Sequence, residues 1–530
     1  MRGQMMDFPL TIASILEHAA SCNPDQEIVS VEADGSRSRH TVAAFAEIAS
    51  RTASLLLDLG VTPGTRVATL AWNNWRHLAL YYAIPGIGAV CHTINPRLDR
   101  QTIARIAAEA EDRVLFFEPE FLPLARMLRA EVPAIAGFVM LDAGDDAAVE
   151  DWPDLLHFDA SVAARAPLPA WPRVEEDAAS GLCYTSGTTG DPKGVLYSHR
   201  STVLHALVCG LPAYLGLGAA DSVVPVVPMF HVNAWGLPYL CLLAGARLVL
   251  PRNRLDGASL TTLFAEEGVT VAVGVPTVWQ GLAEYLRTSG RRLPALRRLM
   301  IGGAALPRAL LAYFEDEHGI DMVQGWGMTE TSPVCTIGNL NPAEAALPAD
   351  RRQALKLSQG RPLYGVRLAL ARGDEAPGLA EGELLVRGAW IAAGYYRRPV
   401  ADFQRRWLAT GDIARIEPGY RLRLTDRAKD LIKSGGEWIS AAALEELACE
   451  LDFVQTAAAI AVPDPTWGER PLLIVCPRAG ATPDAEALRS HLGRSLARWQ
   501  VPERIEFTDT LPLGATGKVL KAELRRRYAA

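Results

Sequence analysis

The chain has 530 residues, 49% of them hydrophobic and 21% charged, with a formal net charge of −7. This is a globular composition for roughly two to four domains, and it excludes the disordered and low-complexity classes. An acidic balance without a basic block speaks against a nucleic-acid or anionic-membrane surface, and no apolar run has the length of a membrane helix. The eight cysteines show no CxxC or metal-ligand spacing. That pattern predicts buried free thiols in a reducing compartment. Asp7 and Glu17 flank the only short apolar piece near the start, without a small-residue cleavage site. No secretory signal is expected, and a cytoplasmic location is.

In chain order, strands are expected near 66–71, 87–91 and 113–117, with helices between. A strand follows at 180–184, and then a helix that Ser198 can cap. Apolar runs at 222–228, 246–250, 269–274 and 297–301 predict buried strands, alternating with helices at 258–267 and 306–318. Such alternation implies βαβ units and a parallel sheet covered on both faces. From about 358 the texture changes to shorter strands at 363–370, 382–387 and 420–425, joined by Gly/Pro turns, as in a small β subdomain. A charged stretch at 426–430 interrupts the pattern. Beyond it, a helix at 440–451 with Leu444, Leu447 and Leu451 on one face is expected. Strands near 454–462 and 471–476, a helix near 484–498 and a strand near 504–508 complete an α+β unit that could fold alone.

The strongest local signal is Tyr184-Thr185-Ser186-Gly187-Thr188-Thr189-Gly190-Asp191-Pro192-Lys193-Gly194. Glycines leave backbone N–H groups free to point outward, hydroxyls add donors, and a lysine adds a mobile charge. Together they make a nest for polyphosphate oxygens. The chain has only six lysines against 47 arginines. A lysine retained between glycines therefore stands out, since a compact ammonium and a planar guanidinium are not interchangeable at a phosphate. The loop is not a Walker A motif, because Gly-Lys-Ser/Thr adjacency is missing. A flexible surface loop is the plainer alternative.

This loop resembles the phosphate loop of the acyl-adenylate-forming superfamily: acyl-CoA synthetases, luciferases and peptide-synthetase adenylation domains. Four further motifs recur in the family's order: Gly325-Trp326-Gly327-Met328-Thr329-Glu330, Thr410-Gly411-Asp412, Asp426-Arg427-Ala428-Lys429-Asp430 and Gly514-Ala515-Thr516-Gly517-Lys518. The resemblance implies an α/β fold with parallel sheets and a small β subdomain in an N-terminal domain over 1–425. It also implies a hinge at 426–430 and a smaller, mobile α+β lid over 431–530. The implied reaction is ATP-dependent activation of a carboxylic acid as acyl-AMP, with pyrophosphate release, followed by thioester formation on CoA.

Roles follow from the same resemblance. Thr185, Ser186, Gly187, Thr188, Thr189, Gly190 and Lys193 hold phosphates. Glu330 holds Mg²⁺, and Thr329 and Thr185 bond to a phosphate or to the metal shell. Trp326 offers a flat face to the adenine, and Gly325 before it is a further ATP/AMP-binding residue. Asp412 accepts from the ribose hydroxyls, and Arg427 is a second ribose or phosphate contact. Lys518 reaches the substrate carboxylate and α-phosphate, Lys429 is the hinge, and Lys433, Gly435, Gly436 and Trp438 approach CoA. A tight turn is the competing reading of Gly435.

The run Pro228-Met229-Phe230-His231-Val232-Asn233-Ala234-Trp235-Gly236 resembles the medium- and long-chain fatty acyl-CoA synthetases and the ligases of methylthiopropionate-like acids. Asp426, where many relatives carry Gly, points the same way. In that branch Trp235 gates an acyl tunnel, His231 and Val232 line the acid pocket, and Gly302 and Gly303 leave room for the acyl group. His231 stands among the catalytic candidates with Lys518, Thr329 and Glu330. Trp390 is a weaker pocket candidate. Ala443 departs from the acidic residue usual in the fatty-acid branch. An enzyme that stops at acyl-AMP or loads a carrier protein, and a catalytically silent nucleotide- or acyl-binding protein, are the alternatives. The resemblance admits a homodimer, for which the sequence itself supplies no interface.

Overall fold

The computed structural model describes the chain except residues 2, 143–148, 186–191, 372–380, 399–402, 405–406, 428, 436, 479, 515–518 and 529–530. Its first sheet runs Leu156–His157, Gly137–Met140, Val114–Phe117, Arg66–Leu70, Val90–Thr93, Ala179–Tyr184 and Gly194–Ser198. All neighbours are parallel except the last pair. The second sheet has a parallel centre of Asp321–Gly327, Arg298–Ile301, Val271–Gly274, Ser222–Pro225, Arg247–Leu250 and Glu27–Val31. Antiparallel strands flank it on both sides. Parallel strands need both faces covered, which explains their apolar runs. Helix Trp75–Gly86 is buried along its whole length. It lies in one continuous core with Val67 and Phe116 of the first sheet and Val223, Leu248 and Val271 of the second. Each such side chain contributes about 1.5–3 kcal/mol by leaving water.

A third, antiparallel sheet comprises Val366–Ala371, Gly382–Gly388, Trp407–Glu417, Phe403–Gln404 and Arg421–Arg427. The fourth comprises Glu437–Ile439, Ile432–Ser434, Gly468–Pro477, Val454–Asp464 and Arg504–Phe507, with helices Ala441–Ala448 and Ala485–Ser495 over its core. The fold is therefore mixed α/β, with parallel sheets, an antiparallel β subdomain and a C-terminal α+β unit.

Several elements differ from the sequence expectation for local reasons. Ser198 caps the helix His199–Cys209 as expected, but the residues leading to it, Gly194–Ser198, form an unexpected strand paired antiparallel with Ala179–Tyr184. The run 222–228 stays a strand only to Pro225, because the chain then leaves the sheet for an irregular turn. The 306–318 helix is a short α-helix, Arg308–Ala312, followed by a π-helical turn at Tyr313–Glu317. Strand Trp407–Glu417 was not read from the sequence, since Thr410-Gly411-Asp412 breaks its alternation and Gly411 has φ +73°. All eight cysteines are free thiols, but Cys22 is exposed and Cys449 half-buried. Among the described residues, no helix is long and apolar enough to cross a membrane.

Candidate active site

The second sheet delivers the centre of the site. Strand Asp321–Gly327 ends in a sharp turn over Thr329–Thr331. A Cβ on Gly327 would lie 1.8 Å from the Pro333 carbonyl, so only glycine lets the chain fold back this tightly. The Thr331 hydroxyl accepts from the Met328 N–H at 2.9 Å, and the Tyr197 hydroxyl donates to the Thr329 carbonyl at 2.7 Å. Thr329 and Glu330 are thereby fixed and buried. The Tyr395 hydroxyl donates to Glu330 Oε1 at 2.7 Å. Burial raises the Glu330 carboxyl above its ordinary value, while the Tyr395 hydrogen bond and the charges of Lys193 and Arg427 pull it back.

Lys193 comes from the other sheet. The Thr185 N–H donates to the Lys193 carbonyl at 2.9 Å, and the Lys193 N–H donates to Thr185 Oγ1 at 3.3 Å. These bonds close the neck of the phosphate loop. The Lys193 ammonium sits 4.7 Å from the Tyr395 ring centroid. Ser186, Gly187, Thr188, Thr189 and Gly190 lie outside the described residues.

Trp326, Asp412 and Arg427 converge. The Trp326 indole N–H donates to Asp412 Oδ2 at 2.9 Å, and Arg427 Nε lies 3.1 Å from Asp412 Oδ1. Asp412 and Arg427 face each other across adjacent strands. The Thr410 hydroxyl accepts from the Asp412 N–H at 3.1 Å and holds the bulged strand in place. A carboxylate has about four acceptor sites, so Asp412 keeps room for two more donors such as a vicinal diol. Gly325 packs against the Met300 methyl, at 2.6 Å from where its Cβ would be.

The acid-facing candidates sit on an unusual backbone. Val232, Asn233, Ala234, Trp235 and Gly236 all have positive φ, between +45° and +81°, which makes one left-handed turn. Val232 is buried; His231 and Trp235 are half-buried. A Cβ on Gly302 would lie 2.4 Å from the Trp235 ring. The space that Gly302 leaves is therefore covered by Trp235. Gly303, at φ +81°, is exposed beside it. Trp390 is core: its indole N–H donates to the Val334 carbonyl at 3.2 Å, and it packs edge-on to His205.

Lys429 is exposed in the turn after Arg421–Arg427, where the Arg525 guanidinium donates to its carbonyl at 3.2 Å and pairs with Asp430 at 2.7 Å. Lys433 and Trp438 are neighbours on one hairpin, with the ammonium 5.6 Å from the indole. Gly435 has φ +61° in that hairpin's turn, and a Cβ there would meet the Trp467 ring at 2.8 Å. The turn and Trp467 both demand the glycine, and the turn joins two strands. Trp467 and Trp499, exposed like Trp438, extend this face. The Arg470 guanidinium links them by donating to Ser434 Oγ at 3.2 Å and to the Trp499 carbonyl at 2.6 Å. Gly436 and Lys518 lie outside the described residues. Lys521 pairs with Glu445 at 2.7 Å and is largely shielded.

Sequence reasoning missed Tyr395, Tyr197, Trp467 and Trp499. Each acts through a fold contact with a residue distant in sequence, and none lies in a motif whose spacing marks it.

The family model for AMP-binding enzymes matches residues 16–396, and the model for the AMP-binding enzyme C-terminal domain matches 443–518. A 3-methylmercaptopropionyl-CoA ligase of Ruegeria lacuscaerulensis is 45% identical over 533 residues, covering 100% of this chain and 99% of its own. A long-chain-fatty-acid–CoA ligase of Thermus thermophilus is 45% identical, covering 99% of this chain and 96% of its own. A medium-chain-fatty-acid–CoA ligase of Ectopseudomonas oleovorans is 43% identical, covering 100% and 98%. Among solved structures, an anthranilate CoA ligase in complex with anthranoyl-AMP superposes with a TM-score of 0.88 at 24% identity, covering 99% of each chain. That last likeness shows the fold alone.

Proposed function

Because the chain belongs to the AMP-binding enzyme family, we propose that it is an AMP-forming acyl-CoA ligase, acting on a fatty acid or on an acid of the 3-methylmercaptopropionate type. The observation that carries the reading is the convergence of Glu330, Lys193, Trp326, Asp412 and Arg427, drawn from three sheets, into one cationic and acceptor-lined site. That set suits a nucleoside triphosphate.

A carboxylate is a poor acyl donor because its leaving group would be oxide. In the first half-reaction its oxygen attacks the α-phosphorus of ATP, the bond to the bridging oxygen breaks, and pyrophosphate departs. In the second, the CoA thiol attacks the acyl carbon, loses its proton, and AMP departs. Negative charge accumulates on the phosphates during the first step, so fixed cations and oriented donors lower its barrier. In this reading Lys193 and the phosphate loop hold the polyphosphate, Asp412 and Arg427 hold the ribose, and Trp326 borders the adenine. Lys518 brings a further cation to the carboxylate and α-phosphate.

Glu330 fits Mg²⁺. It offers one buried, hard oxygen donor beside Thr329, and Mg²⁺ is held by one or two carboxylates plus substrate phosphates, without a full protein cage. When bound, the ion neutralises phosphate charge. Thr185, tied to Lys193, is a second candidate in its shell. His231, Val232 and Trp235 border the acid, with Trp235 over Gly302 closing the acyl path. Lys433, Gly435, Trp438, Trp467 and Trp499 form the CoA face, and Lys429 is the pivot between half-reactions.

The test is pyrophosphate release with ATP and Mg²⁺ across acids from acetate through 3-methylmercaptopropionate and aryl acids to palmitate, each with and without CoA. CoA-dependent turnover on straight-chain or thioether acids is expected. Turnover confined to aryl acids, or independent of CoA, contradicts the reading.

A further inference from the structure

We infer that Tyr395 is a positioning residue for adenylation, its hydroxyl fixing the Glu330 carboxylate while its ring seats the Lys193 ammonium. The inference rests on the adenylating reading above and goes beyond it, since it couples the phosphate-holding lysine to the metal-holding glutamate through one side chain.

Two independent contacts carry it. The hydroxyl donates to Glu330 Oε1 at 2.7 Å, and the Lys193 ammonium lies 4.7 Å from the ring centroid. The surrounding backbone is built to hold that side chain still. The Ala392 N–H donates to the Glu330 carbonyl at 2.8 Å, and the Ser332 hydroxyl donates to the Trp390 carbonyl at 2.8 Å. The other end of the segment is fastened to the phosphate loop's exit. There the Tyr396 N–H donates to the Gly194 carbonyl at 2.8 Å, and the Arg398 guanidinium donates to the Pro192 carbonyl at 2.8 Å. Arg397 pairs with Glu111 at 2.6 Å and anchors the segment's outer side. Residues 390–398 thus form a strap between two elements that come from different sheets.

Tyrosine is the side chain that serves both partners. Phenylalanine would keep a π-face for the ammonium but take that hydroxyl donor from the buried carboxylate. Serine would do neither at this reach. A hydrogen bond to a buried charged acceptor fixes orientation as well as energy. A carboxylate held through one oxygen can offer its other oxygen to a cation.

The experiment is calorimetric ATP binding with and without Mg²⁺, on wild type, Tyr395→Phe, Tyr395→Leu, Glu330→Gln and the Glu330→Gln/Tyr395→Phe double variant. Tyr395→Phe is expected to lower affinity for ATP about tenfold with Mg²⁺ and less than about twofold without it. Tyr395→Leu is expected to weaken both, since Lys193 loses its seat. In the double variant the loss is expected to equal that of Glu330→Gln alone, the non-additivity of residues acting as one unit. Equal losses for Tyr395→Phe with and without Mg²⁺, no loss at all, or additive losses in the double variant would each overturn the inference. A wild-type chain that binds no ATP would instead overturn the adenylating reading beneath it, and the inference with it.

Discussion

Asp412 shows how one side chain serves structure and ligand together. Its two oxygens already accept from the Trp326 indole and face Arg427, at 2.9 and 3.1 Å, while acceptor capacity remains for a ribose diol. In Asp412→Asn an amide NH₂ must face one of those donors, and the charge opposite Arg427 is lost. The KM for ATP in pyrophosphate release is expected to rise about ten- to a hundredfold, from the loss of charge-assisted hydrogen bonds. A KM within twofold of wild type would contradict the role. The sequence made Asp412 legible because a Thr-Gly-Asp motif marks it, as it did Glu330 and Lys193. Tyr395 was not legible, because its meaning lies in reaching Glu330 and Lys193, which only the fold brings near.

At the scale of the element, the left-handed turn Val232–Gly236 is the least expected piece of backbone. Each non-glycine residue at positive φ costs about 1–2 kcal/mol, so the surroundings must hold the turn in place. Tyr81, on the buried helix Trp75–Gly86, donates its hydroxyl to the Met229 carbonyl and lies 3.3 Å from Asn233 Oδ1. The His205 ring stands 2.8 Å from where a Gly236 Cβ would be. These contacts present Trp235 over Gly302. Trp235→Ala opens that space and is expected to widen the acid profile toward bulkier or longer acids, read as kcat/KM across the acid panel. Gly302→Ala, whose methyl must displace the ring, is expected to change the same profile. A profile unchanged in Trp235→Ala would reduce the residue to core packing. Apolar runs announced the strands on either side of this turn, but nothing in Val-Asn-Ala-Trp announces positive φ. Tertiary contacts decide it, as they do the hairpin under the phosphate loop.

Across the whole molecule, three buried histidines tie the stability of the large domain to pH. His199 Nδ1 accepts from the Ile12 N–H and His205 Nε2 accepts from the Val334 N–H, both at 3.1 Å, which only an unprotonated nitrogen can do. His77 lies 3.0 Å from both the Thr69 hydroxyl and the Trp72 carbonyl. Burial pushes His77 and His199 down to about 4 and His205 down to about 3. The unfolded chain, titrating near 6.5, therefore binds more protons in the window below that value. Their contribution is complete above about pH 6.5 and is lost as pH falls toward 4, each histidine adding a slope of up to about 1.4 kcal/mol per pH unit. Glu118, pushed up to about 7 by burial, works in the opposite direction over the same window. The histidine contribution is therefore read as the difference in urea midpoint between wild type and His205→Gln, which is expected to shrink from pH 7.5 to pH 5. A difference independent of pH would contradict the neutral, buried state of the ring. Val334 follows the Glu330 turn by a few residues, so acid is expected to loosen the site as well as the core.

The central claim is that the carboxylic acid is activated on the α-phosphorus of ATP. A single turnover with acid labelled by ¹⁸O in its carboxylate, ATP, Mg²⁺ and CoA tests it most directly by mass analysis of the products. One carboxylate oxygen remains with phosphorus when the thioester forms, so label is expected in AMP and not in pyrophosphate. Label in orthophosphate, or unlabelled AMP beside formed thioester, would mean that the acid is activated elsewhere and would contradict the account.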